Sequence, residues 1–233
     1  MADVVYNAAA LVADVRRRAM IPNSAAVLND ADIVAFLNDE MYEYIVPMLM
    51  ATTEEYLVHA VDLGVPTSTT IDLSNATTFP GLIGLKVRDV QIQSMNSWIS
   101  LPRIEPEYEA QFLASGDIQG YLFRGSKVHL VPVNQTPSAA IRILYYKRPE
   151  ALEVGGAAPS IPTDLCPLLV QRAVYRCLDA LGDNRAEAAA ASAERTRVTC
   201  IQLISPRGEG SARVVINYQG PGWTYRRRPY YMR

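Results

Sequence analysis

The sequence predicts an α+β protein: an α-helical bundle with an inserted small β domain and an extended C-terminal arm. Near both ends of the 233-residue chain, apolar residues recur at three- and four-residue spacing, as on the buried face of a helix. Between them, short runs alternate apolar and polar residues and are broken by Pro, Thr and Ser, as in strands. The last residues, QGPGWTYRRRPYYMR, follow neither period. We therefore assign the chain as follows: residues 1–63 and 160–206 form the helical bundle, 64–150 the β domain, and 207–233 the arm.

Two helices are predicted before the β domain. Residues 7–19 place five apolar side chains at helical spacing, and Arg16–Arg18 close the last turn, where cations suit the helix dipole. A second helix begins at Asn29 or Asp30, both favourable N-caps, and its pattern runs to about Leu57. Pro47 should kink this helix or split it in two, because proline lacks an N–H and clashes one turn back. The predicted apolar faces are Ala8, Leu11, Val12, Val15 and Ala19 in the first helix, and Ile33, Phe36, Leu37, Met41, Tyr44, Ile45 and Met48 in the second.

The β domain is predicted from six alternating runs and one hairpin turn. IRILYYK is the strongest run, since β-branched and aromatic residues alternate along it. Residues 123–127 have the composition of a hairpin turn, and Glu105–Ser115 could be a short helix between strands. The predicted strands are Thr69–Leu73, Lys86–Gln93, Trp98–Arg103, Gly120–Phe123, Lys127–Val131 and Ile141–Lys147.

Two further helices are predicted after the β domain. Thr163 or Asp164 should cap a helix that runs to Leu181, with Pro167 in its first turn and Gly182 just past its end. Asn184, followed by Glu187, resembles a capping box at the start of a fourth, alanine-rich helix. A short strand is predicted at Arg213–Tyr218. The predicted buried faces are Leu165, Leu168, Leu169, Ala173, Cys177, Leu178 and Leu181 in the third helix, and Val198, Ile201 and Ile204 in the fourth.

The charge is unevenly distributed. The formal net charge is −2, but residues 1–206 carry −7 and residues 207–233 carry +5. A basic tail on an acidic body can attract a second copy, an acidic partner or nucleic acid, or can simply be a solvated end. No apolar run reaches the 18 residues of a membrane span, so no membrane partner is expected. The three cysteines form no C-x-x-C pair and suit buried positions in a reducing compartment.

The sequence shows no reaction centre. The two histidines, His59 near a predicted helix end and His129 in a strand, have no metal-type neighbours and are expected to be ordinary surface or half-buried residues. Residues 120–127 resemble a phosphate-binding loop, but Ser and Lys are reversed and a strand follows where a helix is needed. The carboxylates of Asp30, Asp32, Asp39, Glu40 and Glu43 are expected on the solvated face of a helix or at its N-terminus. We predict no catalytic residue, no cofactor and no metal site.

The C-terminal arm is the most specific feature. Three consecutive arginines flanked by Trp and Tyr could bind nucleic acid through phosphate contacts and stacking. They could equally bind a protein, since these residue types dominate interface hot spots. The candidate partner-binding residues of the arm are Arg213, Trp223, Tyr225, Arg226, Arg227, Arg228, Tyr230, Tyr231 and Arg233.

Several segments resemble one family. Four segments carry the resemblance and occur in the same order along residues 11–183: VADVRRRAMIP, LNDADIVAFLNDEMYEYIVPMLM, ILYYKRPEAL and IPTDLCPLLVQRAVYRCLDALGD. Together they resemble the tailed-phage head-to-tail adaptor proteins, also called connector or head-completion proteins. The resemblance implies a helical adaptor with an inserted β domain, no catalytic residues, and a C-terminal arm that runs along the portal.

The resemblance also implies partners and a location. Twelve copies would form a ring under the portal protein and provide the platform for tail or neck proteins, with DNA passing through the channel. Assembly would occur in the host cytoplasm, and the finished protein would lie in the virion, at the neck. Two alternatives are a nucleic-acid-binding module that uses the basic aromatic tail, and another minor capsid or tail component.

Overall fold

The described part of the chain contains five α-helices and seven strands. A computed structural model describes residues 6–22, 27–95, 97–112, 117–133 and 137–205. The helices are α1 (Ala8–Ala19), α2 (Asp30–Glu40), α3 (Val46–Thr52), α4 (Cys166–Ala180) and α5 (Ala186–Ile204). The strands are β1 (Val58–Asp62), β2 (Thr70–Asp72), β3 (Leu82–Ser94), β4 (Ser97–Ser100), β5 (Gly120–Arg124), β6 (Lys127–Val131) and β7 (Ile141–Lys147). This mixture confirms the α+β class; the predicted arm lies outside the described residues.

The strands form two antiparallel sheets. One has the order β1-β7-β3-β4, and the other has the order β2-β6-β5. Residues from both sheets pack into one hydrophobic cluster around Tyr145, Phe79 and Ile143. The inserted region therefore has a core of its own, built mainly from every second residue along its strands, the residues that face inward.

The helices form a second hydrophobic cluster, with α4 at its centre. α4 packs against α1, α2 and α5, and its inner face includes Leu168, Leu169 and Cys177. All five predicted apolar residues of α1 are buried, which confirms that face. Leu181 was also predicted to be buried but is 41% exposed, because it lies just after the last residue of α4. Of the described residues, no helix is both long and apolar enough to cross a bilayer.

Pro47 interrupts the second predicted helix, as expected. The chain leaves α2 through a π-helical turn at Met41–Ile45 and continues as α3, with Pro47 in its first turn. The N–H of Val46 reaches back five residues to the carbonyl of Met41. Proline is compatible with a first helical turn, since its missing N–H needs no partner there.

The helix starts agree only partly with the predicted caps. Asn29 caps α2 and forms a capping box with Asp32, whose carboxylate accepts the backbone N–H of Asn29 at 2.9 Å. The predicted N-caps of the last two helices were wrong, although both helices are present. Thr163 and Asp164 lie in a 3₁₀ turn before α4, which has no side-chain cap. α5 begins after Arg185, whose N–H is accepted by Asp183, so the predicted Asn184 capping box does not form.

Two helices end with a left-handed residue followed by an N–H that reaches the carbonyl five residues back. After α4, the N–H of Asp183 reaches the carbonyl of Leu178, and Gly182 adopts φ +63°. After α1, the N–H groups of Met20 and Ile21 both reach the carbonyl of Arg16. Met20 takes the position of the glycine with φ +59°, a left-handed conformation that costs about 1–2 kcal/mol for a residue with a Cβ.

Replacing Met20 with glycine is expected to stabilise the protein by roughly 0.5–1 kcal/mol. Glycine removes the left-handed penalty, and its greater freedom in the unfolded chain offsets part of the gain. The free energy of unfolding in urea measures the change. Met20→Leu is the control and should give no gain, because leucine keeps the Cβ; equal stability of the glycine and leucine variants would contradict the argument.

Most strands match their predicted positions. β6 and β7 have the predicted bounds, and Gly125, at φ +61°, lies in the turn between β5 and β6. That hairpin confirms that residues 120–127 are not followed by a helix. The predicted short helix after Glu105 is a 3₁₀ turn at Pro106–Phe112.

β1 was not predicted, and His59 was wrongly expected near a helix end. The helix stops at Thr52, and a 3₁₀ turn at Glu54–Leu57 leads directly into β1, where His59 lies. The strand VHAVD has weak β character of its own and is held by pairing with β7. The strand predicted at Arg213–Tyr218 lies outside the described residues.

Candidate interaction surfaces

The predicted partner-binding residues all lie beyond the last described residue, Ser205. These residues are Arg213, Trp223, Tyr225, Arg226, Arg227, Arg228, Tyr230, Tyr231 and Arg233. The structure places the point at which the chain leaves the body. At that point the hydroxyl of Thr53 donates to the carbonyl of Ile204 at 3.0 Å. The C-terminal segment thus leaves where the end of α5 meets the chain that leads into β1.

An apolar surface covers the outer side of α1. Ala9 and Ala13 are exposed, Met20 is 78% exposed just past the helix end, and Val154 is exposed on the loop beside them. Two shallow depressions in this region share Ala13. We call Ala9, Ala13, Met20 and Val154 the α1 surface.

A second apolar surface lies on the outer side of α5. Val198 is 55% exposed and lies two turns from the exposed Ala191 on the same side of the helix, with the exposed Ala188 one turn before Ala191. We call Ala188, Ala191 and Val198 the α5 surface. Val198 was predicted to be buried, which was wrong: α5 packs on α4 through Ala189, Ala193, Cys200 and Ile204 instead.

A buried ion cluster fixes α2 against α4. Glu40 is fully buried, although the sequence suggested a solvated carboxylate. It accepts hydrogen bonds from Nε of Arg172 at 2.7 Å and from Nε of Arg176 at 2.5 Å. Arg176 also contacts Glu43 at 2.9 Å. The hydrogen bond to Glu40 raises the pKa of Arg176. A buried carboxylate needs such partners, because an unpaired charge in the interior is strongly unfavourable.

Tyr44 extends this cluster to α5. Its hydroxyl donates to Glu194 at 2.5 Å, and the guanidinium of Arg172 stacks on its ring at 4.2 Å. Glu194 also binds Arg197 on the next turn of α5. Burial and the hydrogen bond to Glu194 raise the pKa of Tyr44 to about 12. Tyr44 therefore links the Glu40 cluster to α5 through polar contacts at the exposed flank of that helix.

The stability of the protein is expected to fall as pH rises from 10 to 12, in part because Tyr44 loses its proton. Its folded pKa, about 12, lies above the ordinary value of 10, so the neutral form stabilises the fold below pH 10, and this contribution disappears through pH 12. Tyr44→Phe should show a shallower decline over this window in urea unfolding. Parallel pH curves for the two proteins would contradict the assignment.

Arg16 shapes the end of the α1 surface. The side chain is buried and donates to Asp30 at 2.7 Å, to the carbonyl of Leu28 at 3.0 Å and to the carbonyl of Pro22 at 3.1 Å. One guanidinium thus holds both ends of the segment between α1 and α2. Arg17 and Arg18 instead pair with Asp14 on their own helix.

The three cysteines are packing residues. Cys166, Cys177 and Cys200 are buried and unbridged, as predicted. Burial raises the pKa of Cys166 and of Cys177 to about 11, which keeps both as thiols at neutral pH. Thiols of this kind are poor nucleophiles and poor metal ligands. Within the described ranges, no three His, Cys, Asp or Glu side chains are grouped to hold a metal ion.

The fold and these surfaces define a structural protein whose features are suited to contacts with other macromolecules. The chain belongs to the SU10 adaptor protein family, whose model matches residues 6–216. It is therefore a phage structural adaptor, a component of the virion that interacts with other head or tail components. No curated protein matches the sequence at a significant level.

Proposed function

We propose that this protein is a head-to-tail adaptor whose copies form a ring of twelve on the portal and provide the attachment platform for the tail. The family membership supports an adaptor role. The observation that carries the ring is the presence of two separate apolar surfaces on one body, the α1 surface and the α5 surface.

The two surfaces suit a heterologous contact between neighbouring subunits, in which two different surfaces meet. The α1 surface of one copy would meet the α5 surface of the next, and a contact between two different surfaces produces a ring when the rotation closes. Alanines on both helices allow their backbones to approach closely. A two-fold dimer would instead need one surface that matches itself.

The C-terminal arm supplies the proposed contact with the portal. Six arginines, Trp223 and several tyrosines fall within residues 207–233. Such side chains give large contact areas and charge-assisted hydrogen bonds at protein interfaces. The +5 charge of this segment also suits the DNA that passes through a portal channel.

The ring is tested by mass photometry and electron microscopy of the full-length protein, alone and with its portal. We expect either a large ring in isolation or subunits that assemble only on the portal. Absence of a ring under both conditions would overturn the proposed function.

A pair of variants tests the α5 surface. Val198→Asp should reduce assembly at least tenfold, because it places a charge in the contact between subunits. Val65→Asp is the matched control, since Val65 is 57% exposed but lies in the inserted β region. Assembly of Val198→Asp at the level of the control would exclude this surface.

Removal of residues 219–233 separates the protein and nucleic-acid roles of the arm. The portal role predicts that truncation abolishes portal binding. The alternative role, nucleic-acid binding, predicts DNA affinity that falls steeply with salt and disappears on truncation, with portal binding unchanged.

A further inference from the structure

β1 is an unprotected edge of the four-stranded sheet. It pairs with β7 through five continuous register positions, and the N–H of Leu63 donates to the carbonyl of Ile141 at 2.9 Å. The alternation of an antiparallel ladder then turns the backbone groups of Val58, Ala60 and Asp62 away from β7. No described strand lies on that side. β1 also lacks the proline, lysine or bulge that commonly protects an edge strand.

The core-facing side of the sheet is incomplete at β1. His59 lies opposite Tyr145, and Val61 lies opposite Ile143, on the side of the sheet that faces its core. Tyr145 and Ile143 are fully buried, whereas His59 is exposed and Val61 is half-buried. His59 contacts the ring of Tyr145 edge-on, with ring centroids 5.5 Å apart. The apolar side of the sheet therefore extends to β1 and ends there without cover.

The C-terminal segment leaves the body beside this edge. The hydrogen bond between Thr53 and Ile204 joins the end of α5 to a point five residues before β1. The chain from Thr53 to Val58, the first residue of β1, can span at most about 17 Å. The seven residues 206–212 can extend to about 23 Å, which is enough to reach β1. β4, the other end of the sheet, lies three strands further away, at about 4.8 Å per strand. β1 is thus the edge of this sheet that the segment reaches most easily.

The sequence of the segment fits that position. RVVINY alternates, so Val214, Ile216 and Tyr218 share one side of a strand, and Gly220, Pro221 and Gly222 follow as a stop. We propose that residues 213–218 of the same chain add to the outer edge of β1 as a parallel fifth strand. Their apolar side then lies beside His59 and Val61. Such an addition brings the chain to the C-terminal end of β1, beside Asp62, and leaves residues 223–233 of the arm for partners.

Hydrogen exchange of the full-length protein tests this strand in single subunits without portal, so the result does not depend on ring formation. We expect the amides of residues 213–218 to exchange at least tenfold more slowly than those of residues 223–233. Equal, fast exchange of the two segments would overturn the proposal.

Two matched pairs of variants test the proposal. One tests whether residues 213–218 pair with the outer edge of β1, and the other tests which side of the added strand packs against the sheet. Ala60→Pro removes an outward N–H and should abolish the protection of residues 213–218, whereas Ala60→Ser keeps the N–H and should retain it. Ile216→Asp should also abolish protection, and Val215→Thr, on the opposite side, should not. The Ile216 pair leaves the body unchanged, so it decides the matter even where Ala60→Pro fails to fold.

Protein concentration distinguishes an intramolecular strand from an exchanged one. If the amides of residues 213–218 stay protected from exchange on dilution, while the protein has the mass of one subunit, the added strand belongs to the same chain as β1. Protection that disappears on dilution would assign the strand to a second copy and overturn the proposal as stated.

Discussion

Replacing Glu40 with glutamine is expected to lower the free energy of unfolding by about 3 kcal/mol. Removal of one partner of a buried ion cluster typically costs about 3–5 kcal/mol. Glu40 is fully buried, but its partners Arg172 and Arg176 are partly exposed and can recover some hydration, which favours the lower end of that range. The amide of glutamine would also direct an N–H toward two cations. Urea unfolding monitored by circular dichroism measures the change.

Two controls distinguish the cost of leaving buried charges unpaired from the cost of breaking any ion pair. Arg197→Met breaks an exposed pair with Glu194 and should cost no more than about 1 kcal/mol. Replacing the whole cluster, as Glu40→Leu with Arg172→Met and Arg176→Met, should be less harmful than Glu40→Gln, because no unpaired buried charge remains; Glu43, which also loses Arg176, is 66% exposed and stays hydrated. A loss below 1 kcal/mol for Glu40→Gln would show that the cluster contributes little to stability.

Replacing Tyr145 with alanine is expected to destabilise the protein by about 3–5 kcal/mol. Truncation of a large buried aromatic residue has this effect because apolar contacts are lost and a cavity remains. Tyr145 is fully buried on β7 and packs edge-on against both Phe79 and His59, with centroids 5.5 Å apart in each pair. Thermal and urea unfolding of the variant would measure the loss.

Tyr145→Phe is the matched control. It removes only the hydroxyl, which donates to the carbonyl of Pro80 at a long 3.3 Å, so a loss of at most about 1 kcal/mol is expected. If the phenylalanine variant were as unstable as the alanine variant, the hydrogen bond rather than the packing would hold this position.

Local patterns predicted the elements whose structure depends on local chemistry. β6 and β7 have the bounds that their alternating residues suggested, and Asn29 caps α2 as its residue type favours. β1 was missed because VHAVD is a strand chiefly through its pairing with β7, more than 80 residues later. Pairing between distant segments leaves no signal in a short window.

The candidate surfaces were harder to predict than the elements. Glu40 had the pattern of an exposed helix residue, and its burial depends on Arg172 and Arg176, which lie more than 130 positions away. Val198 has the residue type of a core position, yet alanines and Cys200 form the contact of α5 with α4. Side-chain type alone does not tell which of two apolar stripes on a helix a neighbour will cover.

The placement of α4 at the centre of the helical cluster affects how the chain folds during synthesis. The apolar sides of α1 and α2 leave the ribosome more than a hundred residues before the helix that covers them. In contrast, all seven described strands of the two sheets have been synthesised once β7 has been made. We therefore expect the sheets to form first, while the nascent N-terminal helices remain uncovered and open to chaperones until α4 emerges.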